Sequence, residues 1–160
     1  MRGIDQWLAE YGASHRHPTN KLLHWICVPI IVICVFGLLL CLPAPPQMAA
    51  ISPRLNWATL VAVFALIYYT ALSPTLALGV LPFLFAMFYV LDRANHWAWP
   101  LWLSCLTAFV LAWIGQFIGH AVEGQRPSFF KDLQFLLIGP LWLLAFVYQR
   151  LGLRYSRARR

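Results

Sequence analysis

Long apolar runs alternate with short polar stretches along this chain. A helix that crosses a membrane needs about 20 mostly apolar residues, and five runs reach or approach that length. Prolines, glycines and charged residues lie between them, as expected where helices end. The spans that this pattern predicts are 22–42, 55–72, 75–91, 99–120 and 133–151. Because the second and third are short and could form a half-depth hairpin, we predict about four to five transmembrane helices.

The N-terminal region has a different, amphipathic pattern. Its apolar side chains follow helical spacing within residues 2–13: Ile4, Trp7, Leu8 and Tyr11. This pattern predicts a short helix that lies in the membrane interface or covers the bundle as a lid. A polar turn follows at 14–20, where Pro18 interrupts helical geometry and Thr19 or Asn20 can cap the next helix.

The composition supports a membrane protein. Of the 160 residues, 61% are hydrophobic and 11% are charged, and the mean hydropathy is +0.69. A soluble domain of this size cannot bury so much apolar surface. We therefore predict an all-α, polytopic integral membrane bundle that forms one domain over residues 1–160. Its predicted parts are an interfacial helix and histidine-containing turn (1–20), a helical bundle (21–151) and a basic tail (152–160).

The charge distribution indicates contact with lipid headgroups. The net charge is +7, and the basic residues cluster at span ends and in the tail, which argues against a nucleic-acid partner. Five alternating spans place the N-terminus, Ser73–Pro74 and the loop 121–132 on one side, and the tail on the other. Basic residues are nearly balanced between the two sides, so the orientation stays open. If one pair of spans is a shallow hairpin, both termini could instead lie on the cytoplasmic side. The expected location is the bacterial inner membrane or, in a eukaryote, the endoplasmic reticulum.

Scarce polar residues form two groups that five spans would place on the same side of the membrane. The first group precedes or begins the first span: His15, His17, Asn20 and His24. The second lies at the end of the fourth span on one helical stripe: Gln116, His120 and Glu123. Imidazoles with a carboxylate or water can bind non-haem Fe(II) or Zn. Simpler interpretations remain, since Asn20 can cap a helix and Glu123 can pair with Arg126.

Two sequence segments resemble a known family. They are YGASHRHPTNKLLHWICVP at 11–29 and WIGQFIGHAVEGQRP at 113–127, the latter followed by Phe129 and Phe130. Together they resemble the membrane family of 2-hydroxy fatty acid dioxygenases, over roughly residues 5–153. The resemblance implies an Fe(II)-dependent enzyme of fatty-acid α-oxidation. Such an enzyme takes a long-chain 2-hydroxy fatty acid and O2 and yields a fatty acid one carbon shorter.

The resemblance also implies roles for individual residues. The family's metal-binding histidines match His15, His24 and His120. We expect His17, Asn20 and Glu123 to be further ligands or to assist catalysis. Lys21 and Arg126 are expected to attract the substrate carboxylate, and Gln116 and His96 are weaker candidates for the site. Two other functions stay open: a non-catalytic lipid-binding or scaffold protein, and a Zn-dependent membrane hydrolase that uses the same histidines. The oligomeric state does not follow from the sequence.

Overall fold

The computed structural model describes residues 3–13, 15–124 and 129–156, and of residues 129–136 it describes the backbone alone. This part of the chain is all α-helical, as predicted, and holds seven helices. They are α1 (Ile4–Ala13), α2 (Pro18–Cys41), α3 (Pro46–Ile51), α4 (Trp57–Leu72), α5 (Pro74–Ala94), α6 (Leu101–Glu123) and α7 (Phe129–Arg150).

Several helix ends differ from the prediction. α2 begins at Pro18 and not at residue 22, because proline suits the first helical turn and the His17 side chain accepts a hydrogen bond from the Thr19 backbone N–H. The prediction that Thr19 or Asn20 caps this helix was therefore wrong. The short helix α3, inside the predicted loop 43–54, was not predicted. α6 extends to Glu123, so part of the loop predicted at 121–132 is helical.

Among the residues that the structure describes, three helices are long and apolar enough to cross a membrane: α2, α5 and α6. α4 is equally apolar but has 16 residues. Large apolar side chains on these helices face outward, among them Phe64 at 62% exposed, Leu78 at 67% and Phe85 at 76%. Water would penalise so extensive an apolar surface, whereas lipid accommodates it. The all-helical fold is thus consistent with a helical membrane protein.

α2 and α6 pack closely along their length, and glycine makes the approach possible. A Cβ atom added to Gly119 would lie 2.5 Å from Asn20 Oδ1, and one added to Gly115 would lie 2.7 Å from Cys27 Sγ. In the sequence these two glycines form a GxxxG pair, a spacing that lets another helix approach closely, and the structure shows that approach. The contact brings the N-terminal end of α2 beside the C-terminal end of α6.

The C-terminal segment lies beside the N-terminus and the α4–α5 turn. The Ser73 hydroxyl donates to the Tyr155 carbonyl oxygen at 2.6 Å, and the Ser156 hydroxyl donates to Asp5. Groups in contact cannot lie on opposite sides of a membrane, so the five-span arrangement, in which the tail faces away from the N-terminus, is wrong as far as residue 156. The alternative with a shallow hairpin and both termini on one side agrees with these contacts. Residues 157–160 lie outside the described residues.

The described part of α7 stays close to the same turn, which explains that error. The Tyr69 hydroxyl donates to the Leu137 carbonyl oxygen at 2.8 Å, and the Tyr148 hydroxyl donates to the Thr75 carbonyl oxygen at 3.1 Å. Both Tyr69 and Thr75 are within one helical turn of Ser73. α1 packs along α7, and together they bury a cluster of apolar side chains against α4 and α5. The N-terminal helix therefore covers the bundle and does not stand apart from it.

Candidate metal centre

Three buried histidines from distant parts of the sequence meet at one end of the bundle. His15 precedes α2, His24 lies in the second turn of α2, and His120 lies in the last turn of α6. They are 3%, 3% and 8% exposed. One ring nitrogen from each lies within 4.8 Å of the other two. The structure thus brings together the three residues that the sequence assigned to a metal.

Backbone carbonyl groups orient two of these rings. His15 Nδ1 lies 2.6 Å from the Tyr11 carbonyl oxygen, and His24 Nδ1 lies 3.0 Å from the Asn20 carbonyl oxygen. A carbonyl oxygen only accepts, so each Nδ1 carries the proton and donates it. The neutral rings therefore present the lone pairs of Nε2, the arrangement that metal-binding histidines commonly show.

The two Nε2 atoms face each other, which tests whether these residues fit a metal. His15 Nε2 lies 2.8 Å from His24 Nε2. Two lone pairs repel at that distance, and a cation that both can bind removes the repulsion. Two nitrogens bound at about 2.1 Å to one ion, with a right angle between the bonds, lie about 3 Å apart. Three imidazoles that leave further positions open fit a divalent transition metal.

Two aromatic residues that the sequence analysis did not assign to the site cover the histidines. The Tyr11 ring stacks on His15 with ring centroids 4.2 Å apart, and Trp142 of α7 lies 5.7 Å from His15. The spacing of four residues between Tyr11 and His15 could have revealed the first contact. No local pattern in the sequence links Trp142 to the histidines.

Burial favours the neutral, metal-binding form of His15. Removal from water lowers the pKa of His15 below its usual value, and the electrostatic influence of the neighbouring His120 and Lys21 acts in the same direction. The hydrogen bond to the Tyr11 carbonyl raises this pKa but does not reverse the shift. The ring is therefore deprotonated at neutral pH, the state that a metal requires.

Glu123, at the end of α6, forms hydrogen bonds with the loop that contains His15 and so holds this loop against α6. Its carboxylate accepts hydrogen bonds from the backbone N–H groups of Arg16 and His17, both at 2.8 Å. It also accepts one from Asn20 Nδ2 at 3.0 Å. Asn20 is fully buried. The oxygens of Glu123 thus face N–H groups, and the cluster of three ligands contains no carboxylate.

We expect Glu123→Gln to weaken metal binding without abolishing it. One carboxylate oxygen becomes an amide NH2 that faces an N–H donor, so at least one hydrogen bond is lost, at a cost of about 1–2 kcal/mol. The His15 loop loosens while all three imidazoles remain. Thermal unfolding of the detergent-purified protein and titration with Co(II), followed by its visible absorption, measure the two effects.

Asp92→Asn is the matched control for this prediction. It makes the same change at an exposed carboxylate near the end of α5, far from the cluster. We expect it to leave both measurements unchanged. If Glu123→Gln behaves like Asp92→Asn, Glu123 does not position the loop.

The remaining site residues that were predicted from the sequence lie in different parts of the structure. His17 is exposed and caps α2, and Lys21 is exposed near His15. Gln116 is 6% exposed, and its Oε1 has no hydrogen-bond partner among the residues that the structure describes. His96 is exposed at the opposite end of the bundle, away from the cluster. Arg126 lies outside the described residues.

Comparison with known proteins gives two matches. A family model described as "2-hydroxy-palmitic acid dioxygenase Mpo1-like" matches residues 1–151. The curated protein "2-hydroxy-palmitic acid dioxygenase MPO1" of Saccharomyces cerevisiae is 27% identical over 147 residues, which cover 91% of this chain and 79% of the yeast protein. No solved structure gives a significant match.

Proposed function

This chain belongs to the Mpo1-like family, and on that premise we propose that it is a membrane dioxygenase of long-chain 2-hydroxy fatty acids. The proposed reaction consumes O2 and releases a fatty acid one carbon shorter. The observation that carries this proposal is the convergence of His15, His24 and His120, buried and within 4.8 Å of one another. The yeast relative is named for action on 2-hydroxy-palmitic acid, which makes a long acyl chain the substrate class to test first.

The proposed reaction balances without a reductant. A 2-hydroxy acid R–CH(OH)–COOH and one O2 contain the atoms of R–COOH, CO2 and H2O. The α carbon loses three electrons and the carboxyl carbon loses one, which together reduce both oxygen atoms of O2. The site therefore needs no flavin, nicotinamide or electron-transfer partner, and substrate and O2 alone must reach it.

We assign binding of Fe(II) to the three imidazoles. When bound, iron supplies the oxygen chemistry that no amino-acid side chain can perform. His15 and His24 hold their Nε2 atoms toward the shared position because Tyr11 and Asn20 accept their Nδ1 protons. The rings of Tyr11 and Trp142 cover the His15 side of this position and exclude water from it.

In this proposal, the polar residues around the cluster bind the substrate or hold the His15 loop in position. Lys21 is exposed at the start of α2 and near His15, so its charge attracts the substrate carboxylate, a role that we also propose for Arg126. Asn20 and Glu123 hold the His15 loop in place, and His17 stabilises the start of α2. We do not propose proton transfer by Glu123, because its carboxylate is occupied by N–H groups.

We propose that four helices, α2, α4, α5 and α6, cross the membrane as a single domain. An even number of crossings agrees with the contacts that join the C-terminal segment to the N-terminus. α4 has 16 residues and rises about 24 Å, so it requires a locally thin bilayer. α7 keeps its described part beside the α4–α5 turn and does not complete a fifth crossing.

We expect purified protein loaded with Fe(II) under anaerobic conditions to convert 2-hydroxyhexadecanoic acid to pentadecanoic acid when air is admitted. Mass spectrometry measures the product, and an oxygen electrode measures the O2 consumed, with one O2 per product. Zn-loaded protein is the control and should form none. Protein that binds metal but forms no pentadecanoic acid and consumes no O2 would contradict the proposed dioxygenase, and protein that binds no metal would support a scaffold.

A further inference from the structure

Two apolar cavities lie end to end between α2, α5 and α7. The proximal cavity has a volume of about 200 Å³ and is lined by Trp25 and Val28 of α2. The distal cavity has a volume of about 110 Å³ and is lined by Val32 and Val35 of α2. Val80, Phe83 and Pro140 line both cavities. The two cavities are therefore neighbours with a common boundary.

The proximal cavity begins one helical turn from the histidine cluster. Val28 follows His24 by four residues, so the two side chains lie on the same side of α2. Gly139 of α7 connects the cluster to the cavity wall. A Cβ atom at Gly139 would lie 3.2 Å from the Tyr11 hydroxyl and 3.3 Å from Val28 Cγ1, and the Tyr11 ring stacks on His15. Tyr11 and Gly139 thus lie between the cluster and Val28, which lines the proximal cavity.

We infer that the acyl chain of the substrate occupies both cavities and that Val80, Phe83 and Pro140 limit its length and width. This inference rests on the function proposed above. From His24 to Val35, α2 rises about 16 Å, comparable to the extended tail of a long-chain fatty acid. With the carboxylate and hydroxyl at the histidines, the tail lies among apolar side chains. A lipid acyl chain is the competing occupant that the experiment must exclude.

The first test places a larger side chain at the boundary between the two cavities. Val80 is 6% exposed and lines both cavities, so Val80→Phe should exclude the end of a long chain. We expect turnover of 2-hydroxyhexadecanoic acid to fall about tenfold or more and that of 2-hydroxydecanoic acid to stay within about twofold. Leu78→Phe is the matched control on the exposed face of α5 and should change neither substrate. An equal fall for both chain lengths would overturn the inference.

The second test needs no turnover and therefore separates this inference from the proposed function. A 2-hydroxyhexadecanoic acid with a diazirine at its terminal carbon is photolysed with anaerobic wild-type protein in detergent, and labelled peptides are sequenced. We expect labelling in α4 at Tyr69, which lines the distal cavity and is only 5% exposed. Excess unlabelled acid should suppress this labelling. Labelling confined to outward-facing residues such as Leu78 and Phe85 would mean that the chain binds like any lipid.

Discussion

His120→Ala protein is expected to remain folded but to bind no metal at concentrations that saturate the native protein. Removing one of three imidazoles leaves two, which hold a divalent ion far more weakly. Turnover should fall by more than about 100-fold, because changing a group that only orients a ligand already costs 10- to 100-fold. Metal content by mass spectrometry and product formation from 2-hydroxyhexadecanoic acid measure the two effects.

The stability of the metal-free protein gives this prediction a second, independent readout. At a metal concentration 100 times Kd, binding adds about 2.7 kcal/mol to the native state, so metal should raise the unfolding temperature of wild-type protein and not that of His120→Ala. Without metal, the two proteins should differ less, because the substitution also removes a ring crowded against two others. His96→Ala, exposed at the opposite end, should match the wild type throughout. A His120→Ala protein with unchanged metal content would remove the basis of the proposed site.

The helical, membrane-embedded character of the chain was predictable because it depends on local patterns. Twenty-residue apolar runs leave few alternatives to helices in lipid, and the N-terminal amphipathic pattern identified α1 to within two residues. The glycines of α6 indicated close helix packing, although their partner helix did not follow from spacing. α3 was not predicted, because a six-residue helix after a proline cluster is too short to show a hydrophobic periodicity.

The topology was harder to predict because it depends on how helices meet. Alternating five spans assigned the tail to the side opposite the N-terminus. Only the bonds from Tyr69 to α7 and from Ser73 to the Tyr155 carbonyl place α7 and the C-terminal segment beside the α4–α5 turn. α7 is as long as a spanning helix, so its length alone could not reveal this arrangement.

The site was predictable to the extent that polar groups are scarce. In so apolar a chain, buried histidines are costly unless they have a function, and this argument together with the family motif selected His15, His24 and His120. The contribution of Tyr11 and Trp142 could not be predicted, since it arises where α1 packs on α7. The hydrogen-bond partners of Glu123 could not be predicted for a similar reason. Its carboxylate contacts backbone N–H groups, and contacts with backbone groups cannot be inferred from the pattern of side chains.

The second large effect is expected from Gly119→Val, which should destabilise the protein and disrupt the metal site together. A Cβ at this position would lie 2.5 Å from Asn20 Oδ1 and 3.5 Å from Leu23 Cδ1. Asn20 is fully buried and donates to Glu123, so it cannot turn aside without losing that bond. α2 and α6 must separate, which moves His120 away from the two other histidines. Over-packing of this kind typically costs about 1–3 kcal/mol.

The direction of the stability change in Gly119→Val distinguishes an effect of close helix packing from an effect of helix propensity. Replacing a helical glycine usually stabilises a helix by a few tenths of a kcal/mol or more, so without the contact Gly119→Val should raise the unfolding temperature of metal-free protein. We expect it to fall, together with the affinity for Co(II), whereas His120→Ala lowers the affinity and largely spares the metal-free fold. Gly3→Val, where a Cβ meets no atom within 4 Å, should change neither quantity.

A double variant of Gly119→Ala with Asn20→Ala should lose less stability than the sum of the single changes, because the two residues share one contact. Additive losses would mean that Gly119 does not set the distance between α2 and α6.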